Sequence, residues 1–163
     1  MRIKFSIWII ALLASLTPLK AYERGSLLSL GMGIFNICRD QRVLQYQVEY
    51  KWAASYRGIQ PFCSFFITQK QSLYFCAGAC YDINIADKII ITPSFGPGLY
   101  VKGKGKDLHF PLEFRSSLAV AYQFCNKWRL GAQFYHISNA SLGRKNPGAE
   151  SLIFFIGFPM KQD

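Results

Sequence analysis

After residue 21 the sequence lacks any apolar run long enough for a transmembrane helix, which needs about 20 residues. It also lacks a linker, a long low-complexity segment and a clear internal repeat, and its 163 residues are enough for one domain but not comfortably for two. Yet 51% of the residues are hydrophobic and 16% are aromatic. In an exported chain this combination favours either a secreted globular domain or a transmembrane β-barrel.

The amino-terminal segment has the pattern of a secretory signal peptide. Basic residues precede an apolar run over 5–16, and Ala21 is a small residue suited to a cleavage site. An uncleaved anchor helix is the alternative, but the run is shorter than the ~20 residues that a spanning helix needs. We therefore predict a signal peptide over 1–21 and one domain over 22–163.

Acidic residues are scarce. Nine Asp and Glu stand against 19 Lys and Arg, which gives a formal net charge of +10. Export argues against nucleic acid as the partner for this charge. Clustered cations favour phosphate-bearing head groups, so we predict outer-membrane lipid or lipopolysaccharide as the partner. Whether two copies form a homodimer stays open.

Histidine is scarce as well, and neither of the two lies near Cys76 and Cys80 in the sequence. Their short spacing therefore does not predict a metal site, and we expect no metal. An odd number of cysteines in an oxidising compartment leaves at least one thiol unpaired. A cross-strand Cys63–Cys76 disulfide is conceivable, but the sequence does not give the pairing. The five cysteines are Cys38, Cys63, Cys76, Cys80 and Cys125.

The hydrophobic pattern has a period of two residues, which is typical of half-buried strands. The clearest case is "RVLQYQVEYKW", where apolar and polar residues alternate from Leu44 to Trp52. Such a strand suits either a sandwich or a barrel wall. Eight segments of this kind can be placed, bounded by turn-like residues: roughly 26–37, 42–52, 60–68, 71–82, 88–101, 109–124, 127–140 and 150–158.

Eight strands are the smallest even number found in bacterial outer-membrane barrels, and strands of about 9–11 residues can span when tilted. We therefore predict an all-β fold, an eight-stranded antiparallel transmembrane β-barrel in the outer membrane of a Gram-negative bacterium. If both termini lie on the periplasmic side, the segments "KGKGKD" and "SLGRKNPGA" are external loops.

The seventh and eighth segments carry three residues with catalytic chemistry. His136 and Ser138 share the face of Trp128, Leu130 and Phe134, which is the lipid face of a barrel, because side chains alternate along a strand. Glu150 begins the apolar face of the next strand. Ionisable groups at lipid depth are costly and usually functional. This pattern predicts Ser138 as nucleophile, His136 as general base and Glu150 as the acid that orients the imidazole.

A serine esterase also needs donors for the oxyanion of its intermediate. Asn139 and Asn146 are nearby amides, and the turn-forming pair Pro147–Gly148 suits a fixed position for Asn146. The basic residues of the two external loops are candidates for binding phosphates, or merely keep the rim hydrated. They are Lys102, Lys104, Lys106, Arg144 and Lys145.

The run "HISNASLGRKNPGAE" resembles the signature of the lipid A 3-O-deacylases, the PagL-type outer-membrane esterases. The likeness lies in the His-x-Ser-Asn run, the Asn-Pro-Gly turn and the glutamate beyond it. It implies an eight-stranded barrel with a lipid-facing Ser138–His136–Glu150 triad and Asn146 in the oxyanion hole. It also implies hydrolysis of the 3-position acyl ester of lipid A. This chemistry needs no cofactor.

Three alternatives share some of these features. An outer-membrane phospholipase has the same outward serine and histidine but acts on glycerophospholipid. A non-enzymatic structural or adhesive barrel has the same wall without the chemistry. A secreted soluble sandwich places the aromatic faces in a core, and His136 and Ser138 are then buried polar groups that need partners.

Overall fold

The computed structural model describes residues 25–54 and 57–160, so the predicted signal peptide lies outside the described residues. Within them no helix is long and apolar enough to cross a membrane. The described residues form nine strands: β1 (Ser26–Phe35), β2 (Val43–Lys51), β3 (Ile59–Thr68), β4 (Leu73–Tyr81), β5 (Ile83–Ala86), β6 (Ile89–Val101), β7 (Leu112–Gln123), β8 (Arg129–Ser138) and β9 (Ala149–Met160).

The strands form one closed antiparallel sheet. Each strand pairs with its neighbours in the chain except that β4 and β5 do not pair with each other; both pair with β6, and β1 also pairs with β9. β5 continues β4, because the partners Cys80–Ser94 and Ile83–Ile91 belong to one register. β4 and β5 therefore act as one barrel strand that is interrupted at Asp82. The predicted eight-stranded antiparallel barrel is confirmed, although its fourth strand extends further than the sequence indicated.

The strand β2 shows which side chains face the barrel interior and which face outward. Its polar side chains point into the barrel, where Gln45 and Gln47 are buried, while Tyr46 and Val48 are exposed on the outer wall. A soluble sandwich requires the opposite arrangement, with the apolar face inside. The alternative of a secreted sandwich is therefore wrong, and the apolar outer wall matches a lipid-facing barrel.

Polar networks fill most of the barrel interior. Near one end, Asp82 binds Lys51 at 3.4 Å and also contacts Arg129. In the middle, Arg115 donates to the Glu49 carboxylate at 2.7 Å and to the Ser64 hydroxyl at 3.0 Å. Buried ions are stable only when they are paired and hydrogen-bonded in this way. The interior is consequently a packed core, as expected for a barrel of eight strands.

The end of the barrel that carries the loops 102–111 and 139–148 is closed by apolar side chains. Leu108 from the first of these loops folds into the barrel mouth and is 1% exposed. It joins an apolar cluster that includes Phe35, Phe66 and Tyr100. The plug fixes the path of the loop 102–111 over the mouth, which matters for the site described below.

The five cysteines are free in the structure. The register pairs Cys63 with Ala77 and Ser64 with Cys76. Because side chains alternate along a strand, Cys63 and Cys76 point to opposite faces of the sheet. The conceivable Cys63–Cys76 disulfide is therefore wrong for this fold.

Candidate active site

His136 and Glu150 lie directly opposite each other on the outer wall of the barrel. They are register partners in the β8–β9 pair, and His136 Nδ1 is 3.1 Å from Glu150 Oε1. The histidine side chain is 44% exposed and the glutamate 19%. A carboxylate accepts hydrogen bonds, so Nδ1 carries the proton and Nε2 is left as an acceptor. A histidine held in this tautomer is ready to take a proton at Nε2.

The outward direction of both side chains follows from the period of two along the strands. In β8, Phe134 is exposed next to the half-buried His136, whereas Tyr135 and Ile137 are buried inside the barrel. In β9, the exposed Phe154 lies on the same face as Glu150. The pair thus lies at the end of an apolar strip on the lipid-facing wall, as the alternation of the two segments predicts.

Ser138 ends β8, two positions beyond His136 on the same face. Among the described residues its hydroxyl has no hydrogen-bond partner in the structure, so it is free to turn towards the imidazole. The Cε1–Nε2 edge of that ring faces Gly148, because a Cβ added there would lie 2.6 Å from Cε1 and 3.1 Å from Nε2. The pairing of Ile137 with Ala149 makes Ser138 and Gly148 the next positions of the ladder. The acceptor edge of His136 is therefore directed towards the end of the strand that carries Ser138.

A second serine, which sequence reasoning missed, flanks the histidine on its other side. Ser116 of β7 is the register partner of His136 and is exposed on the outer wall. Ser116, His136 and Glu150 thus form one row across three strands. The alternation of β7 places Ser116 on the outer face, but only the register of β7 with β8 shows that it lies beside His136.

Asn139 and Asn146 differ in whether their side-chain amides keep a free hydrogen-bond donor. Asn146 Oδ1 accepts the backbone N–H of Asn139 at 3.1 Å. This contact orients the amide, because the acceptor must be the oxygen, and leaves the Asn146 Nδ2 group without an acceptor among the described residues. An amide donor is thus held beside the residue that follows Ser138.

Asn139 itself does not match the expectation of a substrate-facing donor. Its side chain is 0% exposed, donates to Lys145 O at 2.9 Å and accepts the Ser141 N–H at 3.0 Å. These contacts hold a tight turn in which Ala140 and Ser141 both have positive φ, 51° and 65°. Such backbone is strained for residues other than glycine and persists only where its surroundings determine it. Asn139 therefore organises the loop 139–148.

The basic residues of the rim also divide into two groups. Arg144 and Lys145 are exposed and line a cleft of about 400 Å³ together with His109 and Phe110. Lys104 is exposed as well. These three side chains are accessible to an anionic ligand.

Lys102 and Lys106 are already engaged with protein groups. Lys102 Nζ lies 2.8 Å from Asp107 Oδ2, and this hydrogen bond, with that from the His109 N–H, lowers the pKa of Asp107. Lys106 Nζ donates to Asn36 Oδ1 at 2.7 Å and to the Gly148 carbonyl. Burial lowers the pKa of Lys106, Arg39 lowers it further, and the charge of Glu150 acts in the opposite direction. Lys106 is therefore turned towards the protein and not towards a ligand.

No group of three or more histidine, cysteine, aspartate or glutamate side chains within residues 25–54 and 57–160 is arranged to hold a metal ion.

Comparison with known proteins gives one family. The family model described as lipid A 3-O-deacylase (PagL) matches residues 42–159, which include every residue of the site. A search of curated proteins finds no match. The comparisons give no support to the homodimer that the sequence left open.

Solved structures give the same fold. The crystal structure of the outer membrane enzyme PagL has a TM-score of 0.63 and 21% identity, over 82% of this chain and 99% of that chain. Neisserial surface protein A (NspA) has a TM-score of 0.63 and 10% identity, over 85% and 99%. A designed transmembrane β-barrel has a TM-score of 0.60 and 8% identity, over 85% and 98%. At these identities the likeness shows the fold alone.

Proposed function

The chain belongs to the lipid A 3-O-deacylase (PagL) family, and from that premise we propose that it is an outer-membrane serine esterase with a Ser138–His136–Glu150 triad. The observation that carries the proposal is the His136–Glu150 contact of 3.1 Å on the lipid-facing wall, two positions from Ser138. The proposed substrate is lipid A in lipopolysaccharide, and the bond that breaks is the ester of the acyl chain at position 3.

In the first half of the reaction, Ser138 Oγ attacks the ester carbonyl while His136 Nε2 takes the hydroxyl proton. Glu150 stabilises the resulting imidazolium through Nδ1. The ester C–O bond then breaks, and His136 returns the proton to the departing sugar oxygen. In the second half, water attacks the acyl-enzyme while His136 takes one of its protons. The bond between the acyl carbon and Ser138 Oγ then breaks, His136 returns the proton to Ser138, and a free 3-hydroxy fatty acid leaves. Every proton in this sequence passes through one imidazole nitrogen.

The tetrahedral intermediates carry a negative oxygen that needs fixed donors. We assign Asn146 Nδ2 to this role, because its amide is oriented by the Asn139 N–H and keeps a free donor. Asn139 supports the turn and is left out of the direct contacts, because its side chain is buried and its amide oxygen and nitrogen are both hydrogen-bonded.

The wall and the rim suit the two parts of lipid A. The apolar strip with Phe134 and Phe154 is exposed to the bilayer and offers a surface along which an acyl chain can lie. The cleft beside Arg144 and Lys145 is formed by loop residues at the barrel rim, and its cations can attract the phosphates. This arrangement holds the ester near Ser138 while the chain stays in the membrane.

Mass spectrometry of lipid A from cells that express the wild type or Ser138→Ala tests the proposal. We expect the loss of one 3-hydroxyacyl group with the wild type only. Ser116→Ala is the matched control, since this second serine also adjoins His136, and it should leave the deacylation in place. If Ser138→Ala still deacylates lipid A and Ser116→Ala does not, the nucleophile is Ser116 of β7 and not Ser138. Unchanged lipid A with folded wild type would contradict the function.

A further inference from the structure

Lys106 connects the loop 102–111 to the residues that follow β1 and precede β9 at the barrel mouth. Two interior anchors fix the loop: the Tyr100 hydroxyl donates to Lys106 O at 2.8 Å, and Leu108 is buried in the plug. From there the ammonium donates to Asn36 Oδ1, 2.7 Å away, and to the Gly148 carbonyl. Asn36 is 1% exposed at the end of β1. One cation thus links three separate segments of the chain.

The segment that Lys106 binds is the one that carries the acid of the site. Gly148 adjoins the His136 ring. Two residues further, the Glu150 carbonyl accepts the Ile37 N–H at 2.9 Å. Asn36 and Ile37 are consecutive, so Lys106 and the β1–β2 connection hold the backbone of Gly148 and Glu150 as one unit.

The charge of Lys106 also matches an unpaired atom nearby. Glu150 Oε1 contacts His136, whereas Glu150 Oε2 is buried without a hydrogen-bond partner among the described residues. A buried carboxylate oxygen without a partner is costly, and a nearby cation reduces that cost. Lys106 and Glu150 make no direct ion pair in the described part of the chain, but their charges interact.

We propose that Lys106 is a positioning residue, which fixes the Gly148–Glu150 segment and thereby holds the His136–Glu150 pair in its reactive geometry. The inference rests on the proposed esterase function and extends it to a residue outside the triad. It also assigns Lys106 a role different from that of the exposed Lys104. Phosphate attraction acts through accessible cations, whereas both contacts of Lys106 are with protein oxygens.

The experiment compares Lys106→Met with Lys104→Met, which removes the same charge from an exposed position of the same loop. Both variants and Ser138→Ala are purified and refolded, and folding is checked by heat-modifiable migration in gels. Rates are measured on lipid A in detergent micelles and on a p-nitrophenyl ester, which carries no phosphate. A fluorophosphonate probe reports the reactivity of Ser138 directly.

We expect Lys106→Met to lower kcat by about 10- to 100-fold on both substrates with little change in KM, because loss of alignment by about 1 Å has effects of this size. Labelling by the fluorophosphonate should slow in parallel. Lys104→Met should keep the wild-type kcat on the phosphate-free ester and the wild-type labelling rate, because a cation that attracts phosphate acts only on lipid A. If Lys106→Met does not fold, Lys106→Arg takes its place: it keeps the charge, and its longer head should still lower kcat at unchanged KM.

Two results would overturn the inference alone. One is an unchanged kcat in the folded Lys106 variant. The other is an equal rise in KM on lipid A in both lysine variants with no effect on the phosphate-free ester, which is the signature of phosphate attraction. By contrast, if the wild type shows no Ser138-dependent turnover of either substrate, the proposed function fails first and the inference fails with it.

Discussion

Replacement of Gly148 by alanine tests the geometry of the site in the most direct way. Gly148 has a φ of 56° and its missing Cβ leaves room for the imidazole of His136. A methyl group there would stand 2.6 Å from His136 Cε1 and 3.1 Å from Nε2, whereas ordinary contacts begin near 3.4 Å. The imidazole or the turn must therefore move by about 1 Å, the scale on which misalignment costs rate.

The Gly148→Ala substitution should have two separate effects, one on the reaction rate and one on the stability of the fold. Misplacement of a catalytic group by about 1 Å lowers rates by roughly 10²-fold, which corresponds to about 2.7 kcal/mol of transition-state stabilisation. The left-handed backbone adds roughly 1–2 kcal/mol of strain for an alanine, which lowers the stability of the folded barrel. Since the second term acts on folding and the first on turnover, the two can be measured apart.

The assay is the release of 3-hydroxy fatty acid from lipid A micelles, normalised to the folded fraction. Gly148→Ala should lose about 10²-fold in kcat. Gly25→Ala is the control, because a Cβ there meets no atom within 4 Å, and it should keep wild-type turnover. A folded Gly148→Ala protein with wild-type kcat would refute the idea that His136 needs the space left by the missing Cβ of Gly148.

Two further predictions concern stability and pH. Arg115→Met leaves the Glu49 carboxylate in the interior without the partner now at 2.7 Å, so the free energy of unfolding should fall by about 3–5 kcal/mol in urea titrations in vesicles; an unchanged value would contradict the pairing. Lys106 is charged below its pKa, which burial and Arg39 lower and Glu150 raises. As the pH rises through that pKa, kcat should decline, and this decline should occur at a lower pH than the one at which ordinary lysines lose their proton. Lys106→Met, which has no amine to titrate, should lack this alkaline decline, and an unchanged decline would sink the assignment.

The sequence by itself determined the wall of the barrel and the face of the site. Alternation with a period of two is a local property, so "RVLQYQVEYKW" already separates the interior Gln45 and Gln47 from the exterior Tyr46 and Val48. The same rule places His136 and Ser138 on one face, because they are two residues apart. The predicted fourth segment ended at residue 82 and so missed β5, which continues the register of β4 beyond the interior Asp82.

Only the tertiary structure decided which groups meet. The His136–Glu150 contact and the position of Ser116 depend on the register between strands, which the turns and the closed sheet set. The buried place of Asn139 and the inward path of Lys106 depend on how the loops cross the barrel mouth. The alternation within each strand predicted that His136 and Glu150 share the outer face, but it does not fix the register between strands or the path of a loop, and these decide which side chains are in contact.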